Sequence, residues 1–188
     1  MLKFKIKASE NFTAKEKSRL EEARVKLEIC VNHPSFKKRF FQADFSGETS
    51  QWKDRRRMDI WNHFVSGAET LSPGVDHEAD ITQDIFNPNF WTRNVVGYTY
   101  PNTATQWINR RMFKFWKLSR VASNILHEWG HKLGFDHDHK ATKRRPFSIC
   151  YQLNDILETV WSELFDERMP TLPKKRRRRF NWRFWTWF

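Results

Sequence analysis

The segment from His127 to His137 constrains this 188-residue chain more than any other stretch. Its sequence is HEWGHKLGFDH, with three imidazoles and one carboxylate at fixed spacing. Because His127 and His131 are four residues apart, a helix would place both on the same face. Gly134 suits a left-handed residue that ends the helix and turns the chain, so that His137 can come back toward the other two. The pattern therefore predicts a helix, a sharp turn and a three-histidine site.

Three nitrogen ligands with an open fourth position are typical of a catalytic zinc ion, whereas structural zinc sites use four protein ligands. We therefore expect one Zn²⁺ held by His127, His131 and His137. Glu128 follows the first ligand, where it can reach a water at the metal and act as a general base. His139 is an alternative third ligand, although the spacing after the glycine favours His137.

The pattern HExxHxxGxxH is the signature of the metzincin clan of zinc metallopeptidases, and this chain resembles that clan. The resemblance extends to residues 95–113, which look like the two strands before the active-site helix in small bacterial and phage-type members. In the clan, a strand in this region forms the sheet edge along which an extended peptide substrate pairs. The resemblance therefore implies that Gly97, Tyr98 and Thr99 bind substrate. The alternative is an ordinary hairpin without a substrate role.

The chain departs from the clan after the third histidine. Metzincins have a turn there whose methionine lies beneath the zinc ligands, but no Met follows that histidine until Met169. The nearest match is the segment 148–151. In the preferred register Ile149 takes the methionine position and Tyr151 matches the clan's turn tyrosine, which would help to stabilise the oxyanion. In the other register Cys150 replaces the methionine and Tyr151 falls one residue early. The alternative for Tyr151 is a purely structural tyrosine of the core. The resemblance is thus to a divergent member.

The patterns along the chain predict an α+β fold, with a small mixed twisted sheet, a long N-terminal helix, an active-site helix and a C-terminal helix. Hydrophobic alternation predicts a strand over 2–7, and a capping box of Thr13 and Glu16 predicts a helix over 13–31. The other expectations are a helical piece over 32–45, a strand over 59–64, a strand or calcium-tolerant loop over 76–86, strands over 95–100 and 106–113, a helix from 118 into the motif, and a helix over 152–165.

Length and composition indicate one compact domain, and the resemblance implies that residues 1–172 form a metzincin-like catalytic domain. Two distant cysteines, Cys30 and Cys150, offer no disulfide framework. The N-terminus lacks the apolar core of a signal peptide, and no stretch approaches the ~20 apolar residues of a membrane span. We therefore expect a cytoplasmic monomer, with release by lysis or non-classical export as alternatives.

Two basic segments bear on partners. Residues 140–147 carry four cations and would line the substrate pocket in the clan, which suggests acidic substrates; a solvated loop is the alternative. Residues 173–188 form a separate tail with seven cations, so that the net charge of +12 becomes +5 without it. Its basic run and aromatic end suit anionic membranes or nucleic acid, whereas an extension without a function is the alternative.

The expected function is that of a zinc endopeptidase acting on a protein or peptide substrate. The alternative is a metzincin-like binding protein that residues 174–188 tether to nucleic acid or to an anionic membrane.

Overall fold

The computed structural model describes residues 1–100 and 102–165, and the predicted tail and Met169 lie outside this part of the chain. The described residues form four strands and six α-helices. In order these are β1 (Lys3–Glu10), α1 (Ala14–Asn32), α2 (Pro34–Gln42), α3 (Arg57–Ser66), β2 (Glu78–Phe86), β3 (Gly97–Thr99), β4 (Thr105–Asn109), α4 (Arg110–Phe115), α5 (Leu118–Lys132) and α6 (Ile149–Phe165). A 3-10 turn at Arg145–Phe147 precedes α6.

The four strands form one mixed sheet in the order β1-β2-β4-β3. Strands β1, β2 and β4 run parallel, and β3 pairs antiparallel with β4 at the edge. Along β2, partly exposed and buried residues alternate strictly, so one face of the sheet packs against the core. This confirms the predicted α+β class and the mixed sheet.

The long N-terminal helix α1 begins where the capping box predicts. The Thr13 hydroxyl accepts a hydrogen bond from the backbone of Glu16, whose carboxylate accepts one from the Thr13 backbone. Its buried residues recur at helical spacing, and they include Leu20, Ala23 and Leu27. The helix therefore buries one stripe against the sheet and the two helices of the site, α5 and α6.

Helix α5 is anchored in the core by Trp129. Its ring packs edge-on against Phe4 of β1 and Phe64 of α3, with centroid distances of 5.4 and 5.5 Å. Since successive residues turn about 100° around a helix, residues two positions away project from its opposite side. The packing of Trp129 thus turns His127 and His131 away from the aromatic core.

The predicted strand over 59–64 is wrong, because this segment belongs to helix α3. Its buried residues, Ile60 and Phe64, lie four apart, which is the spacing of one helix face. The aromatic and β-branched content favoured a strand, but the tertiary packing of this face determines the outcome.

Several other boundaries differ from prediction, and two of the differences bear on the site. The alternating segment 106–113 is a strand only as far as Asn109, whose side chain accepts from the backbone amides of Arg111 and Met112 and so begins α4. The C-terminal helix begins at Ile149, so residues 149–151 form its first turn and not a preceding tight turn. The segment 76–86, for which the sequence allows either a strand or a loop, contains strand β2.

Among the helices in the described part of the chain, none combines the length and the apolar character needed to cross a membrane.

Candidate metal centre

The structure brings the three predicted histidines together. His127 and His131 lie one turn apart on α5, which ends at Lys132. Gly134 then adopts a φ of +80°, a left-handed conformation that glycine reaches without a steric penalty. The chain turns there and returns His137, so that one ring nitrogen from each histidine lies within 4.8 Å of the others. Within the described residues His139 is not a member of this group.

The hydrogen bonds of the rings direct the same nitrogen of each histidine inward. Nδ1 of His131 lies 2.9 Å from the carbonyl oxygen of Phe135, and Nδ1 of His137 lies 3.1 Å from that of Asp138. Carbonyl oxygens only accept, so each of these rings carries its proton on Nδ1 and presents the Nε2 lone pair to the centre. Nδ1 of the third ring, His127, lies 3.2 Å from Nδ2 of Asn154, which can only donate; a 180° turn of the amide would place the acceptor Oδ1 there instead.

The separation of the inward nitrogens fits a bound cation. Nε2 of His127 and Nε2 of His137 are 3.2 Å apart. Two nitrogens bound tetrahedrally at metal distances of 2.0–2.1 Å would be about 3.3 Å apart. Without a metal, one of the two must carry a proton and donate it to the other, whereas a bound cation would accept both lone pairs. The donor set therefore suits a metal ion that prefers imidazole ligands.

The surroundings also keep the imidazoles neutral, as metal ligands must be. Burial lowers the pKa of His127 well below its ordinary value, and the two neighbouring histidines lower it further. Burial likewise lowers the pKa of His137 to about 3. For His131, burial lowers the pKa while the hydrogen bond to Phe135 opposes the change. All three rings are therefore neutral near pH 7.

Glu128 is buried next to the first histidine and is only 3% exposed. Burial raises the pKa of its carboxyl group to about 8, against the opposing effects of a hydrogen bond from Asn124 and the charge of Lys132. The Nδ2 of Asn124 lies 3.3 Å from Oε1 of Glu128. A divalent cation at the centre would favour the carboxylate, since opposite charges at short range stabilise the ionised form. Glu128 is thus a group that can exchange a proton near neutral pH.

Tyr151, which the sequence suggests as a site residue, lies beside the triad. Its ring centroid is 4.8 Å from that of His127 and 5.0 Å from that of His137. Burial raises the pKa of its hydroxyl group to about 12, although the charge of Arg145 opposes this change. The hydroxyl is therefore protonated at neutral pH and able to donate a hydrogen bond.

The first turn of α6 presents a cysteine to the triad. The Sγ atom of Cys150 lies 3.9 Å from Nδ1 of His131, and its side chain is fully buried. This contact agrees with the register in which Cys150 takes the methionine position, in which Tyr151 falls one residue early. Because both residues belong to the first turn of α6, the support beneath the histidines is helical.

Arg145 is buried, unlike the other cations of the basic segment 140–147. It is 8% exposed, and its guanidinium lies 5.2 Å from the ring centroid of Tyr151. One of its nitrogens donates to the carbonyl oxygen of His139. The other three cations of the segment, Lys140, Lys143 and Arg144, are exposed. The solvated-loop interpretation thus fits those three and fails for Arg145.

Gly97, Tyr98 and Thr99 make up β3, the sheet edge next to α5. A Cβ atom at Gly97 would lie 3.1 Å from the side-chain amide of Asn124, one turn before Glu128 on α5. Lys132 donates from Nζ to the carbonyl oxygens of Tyr100 and Thr105, at 2.9 and 3.4 Å. The predicted substrate strand is therefore held against the helix that carries the candidate site.

Two side-chain amides in the site are not among the residues predicted from the sequence. Asn124 lies four residues before Glu128, so the helical spacing that relates the two histidines would have found it. Asn154 lies on α6, 27 residues from its partner His127, and no local pattern marks it.

Comparison of the chain with protein-family models, with curated proteins and with solved structures found no match. The resemblance to metzincins therefore depends on the residues quoted from the sequence alone.

Proposed function

We propose that this chain is a zinc-dependent endopeptidase of the metzincin type, with His127, His131 and His137 as the zinc ligands. The observation that carries the proposal is the set of three neutral imidazoles whose Nδ1 atoms have partners and whose Nε2 atoms converge. Zinc held by three protein nitrogens acts as a Lewis acid and makes water nucleophilic near neutral pH.

Around such an ion, two other residues have defined tasks. Glu128 accepts a proton from the attacking water and later donates it to the departing amine. Tyr151 donates a hydrogen bond to the oxygen of the scissile carbonyl as negative charge develops on it. The guanidinium of Arg145, beside the Tyr151 ring, adds positive potential that favours this charge.

The proposed substrate is a protein or peptide bound in an extended conformation. Strand β3 (Gly97–Thr99) lies at the edge of the sheet, so an extended peptide can pair with its backbone. Because this edge packs beside α5, a paired peptide would pass close to Glu128 and the triad.

The variant Glu128→Gln tests the proposal. We expect one zinc ion per chain in both the wild type and the variant, measured by elemental analysis, because Glu128 is not a ligand. We also expect the variant to lose cleavage of casein or of a peptide library. Glu28→Gln is the matched control, because Glu28 accepts a hydrogen bond from the backbone of β1. This variant should retain activity.

The outcomes of this experiment distinguish the zinc endopeptidase from the metzincin-like binding protein. Casein cleavage by Glu128→Gln at the wild-type rate would contradict the assigned chemistry. A wild-type chain that binds zinc but cleaves nothing would favour the binding protein. In that case full-length protein, but not a truncation to residues 1–172, should bind DNA or anionic vesicles.

A further inference from the structure

We propose that Glu48 is a positioning residue for the metal centre, which it supports by joining the loop of the third histidine to the start of α6. This inference depends on the proposed metal site and extends it to a segment about 80 residues before the motif. The segment Gly47-Glu48-Thr49, here named the clamp, contains the residues involved.

The carboxylate of Glu48 accepts hydrogen bonds from two sides. Its Oε1 accepts from the backbone amide of Asp136 at 2.7 Å, and its Oε2 accepts from that of Ile149 at 3.1 Å. Asp136 directly precedes His137, while Ile149 begins the helical turn that carries Tyr151. One side chain, only 2% exposed, thus connects the third ligand to the helix beneath the triad.

The backbone of the clamp makes the same two connections. The Gly47 amide donates to the carbonyl oxygen of Phe147 at 3.0 Å, and the Thr49 amide faces that of Asp136 at 3.4 Å. A Cβ atom at Gly47 would lie 2.0 Å from the carbonyl oxygen of Arg144, so only glycine permits this approach. The clamp therefore lies between the loop and α6 and contacts both.

The chemistry requires a carboxylate at position 48. A third backbone amide, that of Ser50, donates to Oε1 at 3.2 Å, so the side chain accepts three hydrogen bonds from backbone donors. Ile149 also lies at the N-terminus of α6, where the helix dipole favours a negative charge. Glutamine has the same shape, but either orientation of its amide points an NH₂ group at a backbone N–H and loses at least one of these bonds.

The loop that the clamp holds determines where His137 stands relative to the two histidines on α5. Loss of a supporting partner around a metal site weakens metal binding about 10- to 100-fold. We therefore expect Glu48→Gln to raise the zinc dissociation constant by about this factor. Gly47→Ala, which forces the backbone apart, should act in the same direction.

The experiment measures zinc affinity by competition with a chromophoric chelator, using full-length metal-free protein that circular dichroism shows to be folded. Glu28→Gln is the matched control, because Glu28 also accepts a backbone hydrogen bond, from Phe4 at 2.9 Å, but connects α1 to β1. A role limited to general stability would lower the melting temperature of both variants and leave their zinc affinity at the wild-type value.

Hydrogen exchange of the metal-free wild type provides a second measurement, which does not depend on whether a variant folds. The amides of Asp136 and Ile149 should exchange slowly, and exchange as fast as at exposed positions would overturn the proposal. Wild-type affinity in folded Glu48→Gln would overturn the role of the clamp while the proposed function stands. A wild-type chain that binds no zinc would overturn both.

Discussion

Replacing Asn154 with leucine should weaken zinc binding while the chain stays folded. Asn154 is 6% exposed, and its amide lies 3.2 Å from Nδ1 of His127. Zinc on Nε2 requires the proton on Nδ1, and the amide oxygen is the group that can accept it. That oxygen, Oδ1, is buried and has no other hydrogen-bond partner among the described residues. Nδ2 is the amide atom next to the ring, and a 180° rotation of the amide group exchanges it with Oδ1, which makes the oxygen available for this bond.

The size of the effect follows from the two tautomers of His127. Leucine has nearly the shape of asparagine but accepts no hydrogen bond. In the metal-free variant the ring can keep its proton on Nε2, where Nε2 of His137 accepts it, and loses only the neutral hydrogen bond that Nδ1 accepts from the Asn154 amide. Zinc binding then forces the proton onto Nδ1 without this acceptor, which costs about 1–3 kcal/mol in a buried site. At about 1.4 kcal/mol per tenfold change, the dissociation constant should rise about 5- to 150-fold.

Zinc affinity is measured by chelator competition on full-length protein, with circular dichroism to show that each variant is folded. Asn154→Asp keeps an acceptor beside His127 and should bind zinc at least as tightly as the wild type. Asn32→Leu is the matched control, since the Asn32 amide bridges α1 to the backbone of Leu2 in the N-terminal segment. If Asn154→Leu bound zinc as tightly as Asn32→Leu, the assigned orienting role would be refuted.

Three further predictions concern single residues. Tyr151→Phe should lower kcat about 10²-fold with unchanged zinc content, because one donor to the developing oxyanion is lost; an unchanged kcat would leave Tyr151 a structural role only. Gly134→Ala should lower the free energy of unfolding by about 1–2 kcal/mol in urea titrations, because φ is +80° there, whereas Gly74→Ala, with open space around it, should not. Burial raises the pKa of the Cys30 thiol to about 12, so iodoacetamide at pH 8 should label Cys30 only after denaturation; rapid labelling of the folded chain would contradict its burial.

Elements with a strong local signal could be predicted from the sequence. Helix α1 has both a capping box and a regular apolar stripe, and its structure matches within one residue at the C-terminal end. Segment 59–64 carries conflicting signals, because Ile60, Trp61 and Phe64 favour a strand by composition but a helix by spacing. There the helix forms because Phe64 packs against Trp129 of α5, a contact that no local pattern reveals.

The candidate site likewise has one part that the local sequence predicts and another part that it does not. His127, Glu128 and His131 occupy one helical turn, and a single glycine returns His137, so eleven residues contain the whole donor set. The order of the strands decides which segment lies beside it, because β3 reaches α5 only by folding back along β4. That order is set by the pairing of distant strands, and the resemblance implies only that a strand in this region forms a sheet edge.

What separates a working centre from an accidental HExxH is how each imidazole is held, and here each of the three rings has a different partner. His131 is oriented by a carbonyl in the turn that follows α5, His137 by the backbone next to it, and His127 by α6. A chance motif gives no reason for three rings to present the same nitrogen, nor for a carboxylate from residue 48 to join the last two segments. The remote supports therefore discriminate better than the motif: a chain that kept the histidines but lost Asn154 and Glu48 should keep the fold and lose the metal.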